Sequence, residues 1–496
     1  MPSKTMRIVL AVLFVIACIG LRLLWLPLDP PDWLSWSSGV YTDEGFYTLD
    51  ARSRVLFGTL APGNFHDSYT APLLSWIQTI WFRLFGIGMQ SARALDMTLG
   101  LLTLALFWDM LRRRSPRGIS TAATVMLGLS PIYLFYNCLA LQETPALFWI
   151  VLALWLIGPL TRNNGGTGQN SPPAPNSGGA GLRDFGVALA GACIIAAYAT
   201  KSLSMIAAPA VAVAVWSPLL SKERVRVRFL AFAIGLAVAG AGLIAVTWPH
   251  HAEIARMSRY YLGHQILPHT ATSLWLNIRR GFVDPQKGVL PYLLATMPVS
   301  MILAAIAFRR SRPVEIDPVP VIWLACGLAF CLLSRYAPSR YYVLLMPALC
   351  WLAAIGWCGL PRPRLRQLAL AAAVVVSLCW IGWSWGHRSS SLLLANTDLD
   401  NRVRPTGLVL GEFAPEVFDG MDVPTVPLQP GLSNDDHPIE RLRPEYITVC
   451  RSPYWRGWWQ ARYPWLIDGR HRVGTVQLGG HGQYIVDIYK VNVDAH

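Results

Sequence analysis

Stretches of roughly 17 to 22 mainly apolar residues recur from residue 8 to residue 386. Each is long enough to cross a hydrocarbon core about 30 Å thick. Backbone groups in such a core must satisfy one another, so the stretches are expected as helices. Composition agrees: 53% hydrophobic, 14% charged, 21 tryptophans in 496 residues and a mean hydropathy of +0.39 are too apolar for an ordinary soluble enzyme. The chain reads as an α-helical polytopic membrane protein.

A net charge of +14 would suit a nucleic-acid binder, but the basic residues gather in short segments between the apolar runs. They are Lys4 and Arg7, then Arg112, Arg113, Arg114 and Arg117, then Lys222, Arg224, Arg226 and Arg228, then Arg309, Arg310 and Arg312, and last Arg362, Arg364 and Arg366. This is a topology signal, and no nucleic-acid partner is implied. With the clusters in the cytoplasm, the segments after Pro27, Leu139, Ala199, Trp248 and Ser334 face outward.

Residues 71–88 and 94–111 both look like spans, yet two crossings would put the Arg112 cluster outside. The first is short, begins at Pro72 and carries Arg83, so it is expected as a helix lying at the outer interface. About eleven spans remain, near 8–27, 94–111, 119–137, 142–160, 185–200, 202–220, 229–248, 289–308, 318–334, 341–359 and 367–386. Val15-Ile-Ala-Cys18 has the look of a lipoprotein cleavage site, but the apolar run continues through Leu28 and suits an uncleaved helix better.

The expected organisation is a membrane domain over 1–386, with an outer loop at 28–93 and a flexible cytoplasmic linker at 161–183, and a small extracytoplasmic α/β domain over 387–496. β-prone runs in that last part are Gly407–Gly411, Tyr446–Cys450 and Tyr484–Tyr489. The nine cysteines are mostly isolated within apolar runs, so no disulfide framework is visible.

The chemistry gathers on the outer face. Tyr41-Thr-Asp-Glu-Gly-Phe-Tyr47 places Asp43 and Glu44 among aromatic rings, where a partly desolvated carboxylate can serve as a general base; the plainer reading is a solvated acidic loop. Glu143 lies where the third and fourth spans meet, either as a functional acid or as an exposed interfacial turn. Arg93, Lys201, Arg335 and Arg340 run against the inside bias. They suit a phosphate, or else they snorkel to the interface.

Together these features resemble the GT-C glycosyltransferases, nearest to the protein O-mannosyltransferase and aminoarabinose-transferase-like branch. The likeness rests on the outward Asp43-Glu44, Ser91-Ala-Arg-Ala-Leu95, Leu141-Gln-Glu-Thr-Pro145, Thr200-Lys-Ser202 and Arg340-Tyr-Tyr-Val-Leu-Leu-Met-Pro347. It covers roughly residues 1–386, and implies an enzyme of the inner membrane that uses a polyprenyl-phosphate-linked sugar donor among the membrane lipids. The sugar would pass with inversion to an acceptor lipid, glycan or protein on the outer side, without a cofactor.

By the same resemblance Asp43 would deprotonate the acceptor hydroxyl, Glu44 would orient Arg93 or the acceptor, and Glu143 matches the family's second acid. Arg93, Lys201, Arg335 and Arg340 would bind the donor phosphate. Related transferases often place a Lys or His before the proline of the interfacial helix, whereas this chain has His66-Asp-Ser-Tyr-Thr-Ala-Pro72. His66, Tyr69, Tyr260, Tyr261 and His264 are the candidates for covering the acceptor. No metal is required: His250 and His251 are adjacent and would not share a helix face. A flippase or transporter of a lipid-linked compound is the competing reading, opposed by the lack of evident broken helices in paired halves; a non-catalytic scaffold is the third.

Overall fold

The computed structural model describes residues 4–64, 66–158, 180–216, 222–266, 270–310, 317–479 and 484–491. The linker expected at 161–183 falls almost wholly outside the described residues. In chain order the first helices are α1 (Lys4–Trp25), α2 (Gly39–Phe57), α3 (Asp67–Thr70), α4 (Pro72–Phe85), α5 (Met89–Arg114), α6 (Arg117–Gly128), α7 (Pro131–Tyr136) and α8 (Glu143–Leu156).

Each expected span overlaps one apolar helix or two consecutive helices. Five are long and apolar enough to cross alone: Ile8–Trp25, Met89–Arg114, Glu223–Gly263, Ser339–Cys358 and Pro363–Leu399. Five shorter ones of 10–17 residues are Gly118–Gly128, Glu143–Leu156, Asp184–Thr200, Ser202–Val215 and Pro318–Leu333. This is a multi-pass membrane architecture. α1 turns Ile8 and Ile16 outward, 57% and 59% exposed, whereas Trp351 in the helix Met346–Cys358 is fully enclosed.

Three sequence expectations need correction. The stretch expected as an unbroken span at 289–308 is two helices, Val289–Thr296 and Pro298–Arg309, meeting at 109°. Pro298 disfavours helical backbone at the residue before it, and Met297 leaves the helix with φ −139° and ψ 48°. The span at 119–137 is likewise interrupted before Pro131, where Ser130 adopts ψ 125° and caps α7 by accepting from the Tyr133 N–H. Broken helices are therefore present at these two places.

The third correction concerns the segment 28–93, where a helix was expected only at 71–88: α2 and α3 are helical as well. It holds α2, α3 and α4, and the 14 residues of α4 rise only about 21 Å at 1.5 Å each, short of a crossing. α2 is polar, and it buries Glu44, Asp50 and Arg52 against neighbours on several sides.

After the last apolar helix the chain builds a five-stranded sheet in the order β2-β1-β3-β5-β4, with β1 at Val409–Gly411, β2 at Thr425–Val426, β3 at Tyr446–Cys450, β4 at Arg472–Leu478 and β5 at Tyr484–Lys490. β2, β1 and β3 are parallel, while β5 pairs antiparallel with both β3 and β4. The three β-prone runs are β1, β3 and β5. β4, mostly exposed, was not anticipated.

This region sits against α2. Arg52, 2% exposed, donates to the carbonyls of Phe418, Met421 and Val423. Asn64 and Asn434 exchange hydrogen bonds, backbone N–H to side-chain oxygen each way, at 3.0 and 2.8 Å.

Candidate functional site

Asp43 and Glu44 are neighbours on α2, and each helical residue turns its side chain by about 100°. They therefore meet different partners. Glu44 points inward, 0% exposed, and accepts from Arg93 Nε and Nη2 at 2.8 and 2.6 Å, with the Ala140 N–H at 2.7 Å. The remaining nitrogen of Arg93, Nη1, serves the carbonyls of Leu26 and Leu28 at 3.1 and 2.8 Å. All three guanidinium nitrogens are engaged and the side chain is 3% exposed. With its guanidinium nitrogens so engaged, Arg93 struts α5 to α2, and Glu44 is its counter-ion.

Asp43 points the other way, its side chain 18% exposed, and pairs with Arg340 Nη1. Tyr47, one turn along, donates to Asp43 Oδ2 at 3.4 Å, and Lys201 Nζ donates to the Tyr47 hydroxyl at 3.1 Å. The ammonium also stands 5.0 and 5.7 Å from the ring centroids of Tyr47 and Tyr341. Glu143 Oε1 completes the group, 3.4 Å from Lys201 Nζ and 3.5 Å from Arg340 Nε. Neither Glu143 oxygen accepts a hydrogen bond among the described residues.

Two cations and two carboxylates, far apart in sequence, thus share one partly enclosed spot. Local backbone explains how the cations reach it. Lys201 immediately precedes the 3₁₀ segment Ser202–Ala207, Arg340 lies in the 3₁₀ segment Ser339–Leu345, and each segment leads into a helix with proline in its first turn. Proline is at home there because it lacks an N–H that the helix could not use. Gly39 keeps the meeting point open, since a Cβ on it would lie 2.7 Å from Arg340 Nη1 and 3.2 Å from Asp43 Oδ2. Burial pushes the Asp43 carboxyl above its ordinary range, against the opposing pull of Arg340 and Lys201. That makes it a stronger base than a surface aspartate.

The other expected residues lie around this centre. His66 is buried and its Nδ1 contacts Asp50 Oδ1 at 3.1 Å, so that nitrogen is committed to a carboxylate. The His66 ring meets Tyr69 edge-on at 4.9 Å, and Tyr69 stacks on His250 at 3.7 Å. Tyr260 and Tyr261 pack with Phe46, Met257 and Leu432. Arg335 Nη1 turns to the Gly263 carbonyl at 3.5 Å. The side chain of His264 lies outside the described residues. His251 stacks on Trp248, so it and His250 face different rings. Among the described residues no three His, Cys, Asp or Glu groups are placed to hold a metal.

Sequence reasoning missed Tyr47, Tyr341 and Asp67. Asp67 is 5% exposed, and Gln142 Nε2 stands 2.8 Å from each of its oxygens. Burial pushes its carboxyl up to about 8, with the charge of Asp50 adding and that of Lys201 opposing. At neutral pH it is mostly a neutral acid. The spacing Asp43–Tyr47 is a readable helical signal once α2 is known to be a helix. Asp67 gives none, because an acid in a helix's first turn is ordinary.

Residues 69–166, which include Arg93, Gln142 and Glu143, match the model of the dolichyl-phosphate-mannose-protein mannosyltransferase family. Similar folds are found in ArnT from Cupriavidus metallidurans bound to undecaprenyl phosphate, at 14% identity and TM-score 0.60, covering 96% of this chain and 97% of that one. The apo form of ArnT gives 15% identity and TM-score 0.62 over the same shares. The Archaeoglobus fulgidus oligosaccharyltransferase tethered with an acceptor peptide gives 12% and 0.52, covering 99% of this chain and 75% of that one. Comparison with curated proteins gives no match. At these identities the structural likeness is one of fold, and the mannosyltransferase family model matches residues 69–166 of the chain.

Proposed function

We propose that this chain transfers a sugar from a polyprenyl-phosphate-linked donor to an acceptor hydroxyl on the outer face of the bacterial inner membrane, with inversion, and that Asp43 is the general base. The observation that carries the reading is the convergence of Lys201 and Arg340 on Asp43 and Glu143. Support for the donor class comes from the mannosyltransferase match and from ArnT, whose structure holds undecaprenyl phosphate. The outer location rests on the Lys and Arg bias between the apolar runs.

In this scheme Asp43 takes the acceptor proton as the acceptor oxygen attacks the anomeric carbon. The bond from that carbon to the phosphate oxygen breaks on the opposite side, which inverts the centre. The donor is a phosphodiester and the departing lipid a phosphomonoester, so negative charge grows on the phosphate during the step. Fixed cations stabilise that growth most where water is excluded. Lys201 and Arg340 are the cations available, and Glu143 holds them together before the donor arrives. A phosphate that engages Arg340 draws it from Asp43 and leaves the carboxylate free to accept a proton.

The test is Asp43→Asn, which preserves shape while removing basicity. Purified protein with unchanged melting behaviour should lose 10²- to 10⁴-fold or more in single-turnover transfer from a lipid-linked sugar. Full turnover by this variant would remove Asp43 from the role of base.

A further inference from the structure

α2 is held from behind as well as from the front. Gly45 lies two residues past Asp43, about 200° around the helix, so it marks the face turned away from the cations. Its N–H donates to Oε1 of Glu416 at 3.1 Å, across 371 positions of sequence. Glu416 belongs to the short helix Ala414–Val417 between β1 and β2, is 1% exposed, and its Oε2 accepts no hydrogen bond among the described residues.

A glycine inside a helix is unfavourable relative to alanine, and close approach supplies the reason for one here. A Cβ on Gly45 would lie 2.4 Å from Glu416 Oε1, 2.5 Å from its Cδ and 2.8 Å from the Cβ of Pro415. Other contacts secure the same side. The Tyr41 ring meets Tyr484 of β5 edge-on at 5.4 Å, Phe413 packs on Tyr484 at 5.8 Å, and Arg52 is clamped by the carbonyls of the 418–423 segment.

We infer that Glu416 is a positioning residue for Asp43: through the Gly45 N–H it fixes the rotation of α2, which makes the outer sheet region part of the transfer machinery. This rests on the reading of Asp43 as the base. A misplacement of about 1 Å in a reacting group can cost on the order of 10²-fold in rate, and a small rotation of α2 suffices for that.

The experiment compares full-length Glu416→Gln, Glu416→Asp, Glu416→Ala and Asp43→Asn in detergent. Two measurements are made: hydrogen exchange of the peptide around Tyr41–Tyr47, and transfer from undecaprenyl-phosphate mannose together with affinity for undecaprenyl phosphate. Gln keeps an oxygen that can accept from Gly45, so Glu416→Gln should exchange and turn over as wild type does. Asp is one methylene short, so Glu416→Asp and Glu416→Ala should exchange faster at Tyr41–Tyr47. They should lose on the order of 10²-fold in kcat with lipid affinity unchanged.

Exchange unaltered in Glu416→Asp and Glu416→Ala would overturn the inference, whatever the donor sugar proves to be. So would loss in Glu416→Gln with retention in Glu416→Asp, which would mean that the charge and not the hydrogen bond matters. Full activity of Asp43→Asn would instead refute the base assignment, and the exchange result would still decide whether Glu416 holds α2.

Discussion

Replacing Asp67 by asparagine should remove a pH dependence that wild type carries. The folded carboxyl is pushed up to about 8, while an unfolded aspartate titrates near 3.9. Between those values the folded protein holds a proton that the unfolded chain has released, so stability falls as pH rises, by about 1.4 kcal/mol per pH unit. The stabilisation is complete below about pH 4, declines through the neutral range and is fully lost above about pH 8. From pH 6 to pH 9 this one group accounts for about 2.7 kcal/mol, a hundredfold change in the folding equilibrium.

Asparagine presents a carbonyl oxygen to Gln142 Nε2 and has nothing to titrate. Thermal unfolding followed by tryptophan fluorescence in detergent, at pH 6, 7, 8 and 9, should show wild type losing melting temperature with rising pH while Asp67→Asn loses less. Transfer should decline over the same range in wild type, because an ionised Asp67 competes with a donor phosphate for Lys201. Parallel pH profiles for the two proteins would refute the claim that Asp67 carries this proton.

Three further outcomes are expected. Arg340→Ala should weaken undecaprenyl phosphate binding by roughly 10- to 10²-fold, as loss of a charged hydrogen bond does, and by more than Arg340→Lys, which keeps charge but loses the planar fork; equal affinity in a titration of all three proteins would take Arg340 out of the site. Arg93→Ala should cost about 3–5 kcal/mol by leaving the buried Glu44 carboxylate unpaired, so an unchanged melting temperature would show that the pair is not a strut. Reporter fusions should give an outer signal after β5 and a cytoplasmic one within 161–183, and a cytoplasmic signal after β5 would place the proposed site on the wrong side.

The apolar runs, the basic clusters and three of the five strands were legible because each is a local pattern of several residues in succession. So were Asp43, Glu143, Lys201 and Arg340, because charge at the edge of an apolar run is costly and therefore conspicuous. The interruptions before Pro131 and Pro298 were hidden by hydropathy that continues across them, although both prolines were in view. α2 was hidden for a different reason. A helix whose faces are taken by cations, by Arg93 and by the C-terminal sheet region has no apolar stripe, so its sequence lacks the periodicity that marks an amphipathic helix.

Partnership was the least legible property, and Arg93 shows why. An arginine at the head of an apolar helix looks the same whether it awaits a phosphate or braces a neighbouring helix; only the position of Glu44 decides, and that depends on the direction in which α2 presents successive side chains. Two adjacent carboxylates on a strand would point to opposite faces, and on a loop they could converge on one ligand. On a helix they diverge by about 100°. The Asp-Glu pair is thereby divided: Glu44 fastens the helix to α5 through Arg93, and Asp43 meets Arg340, its direction set by the anchorage of its neighbour.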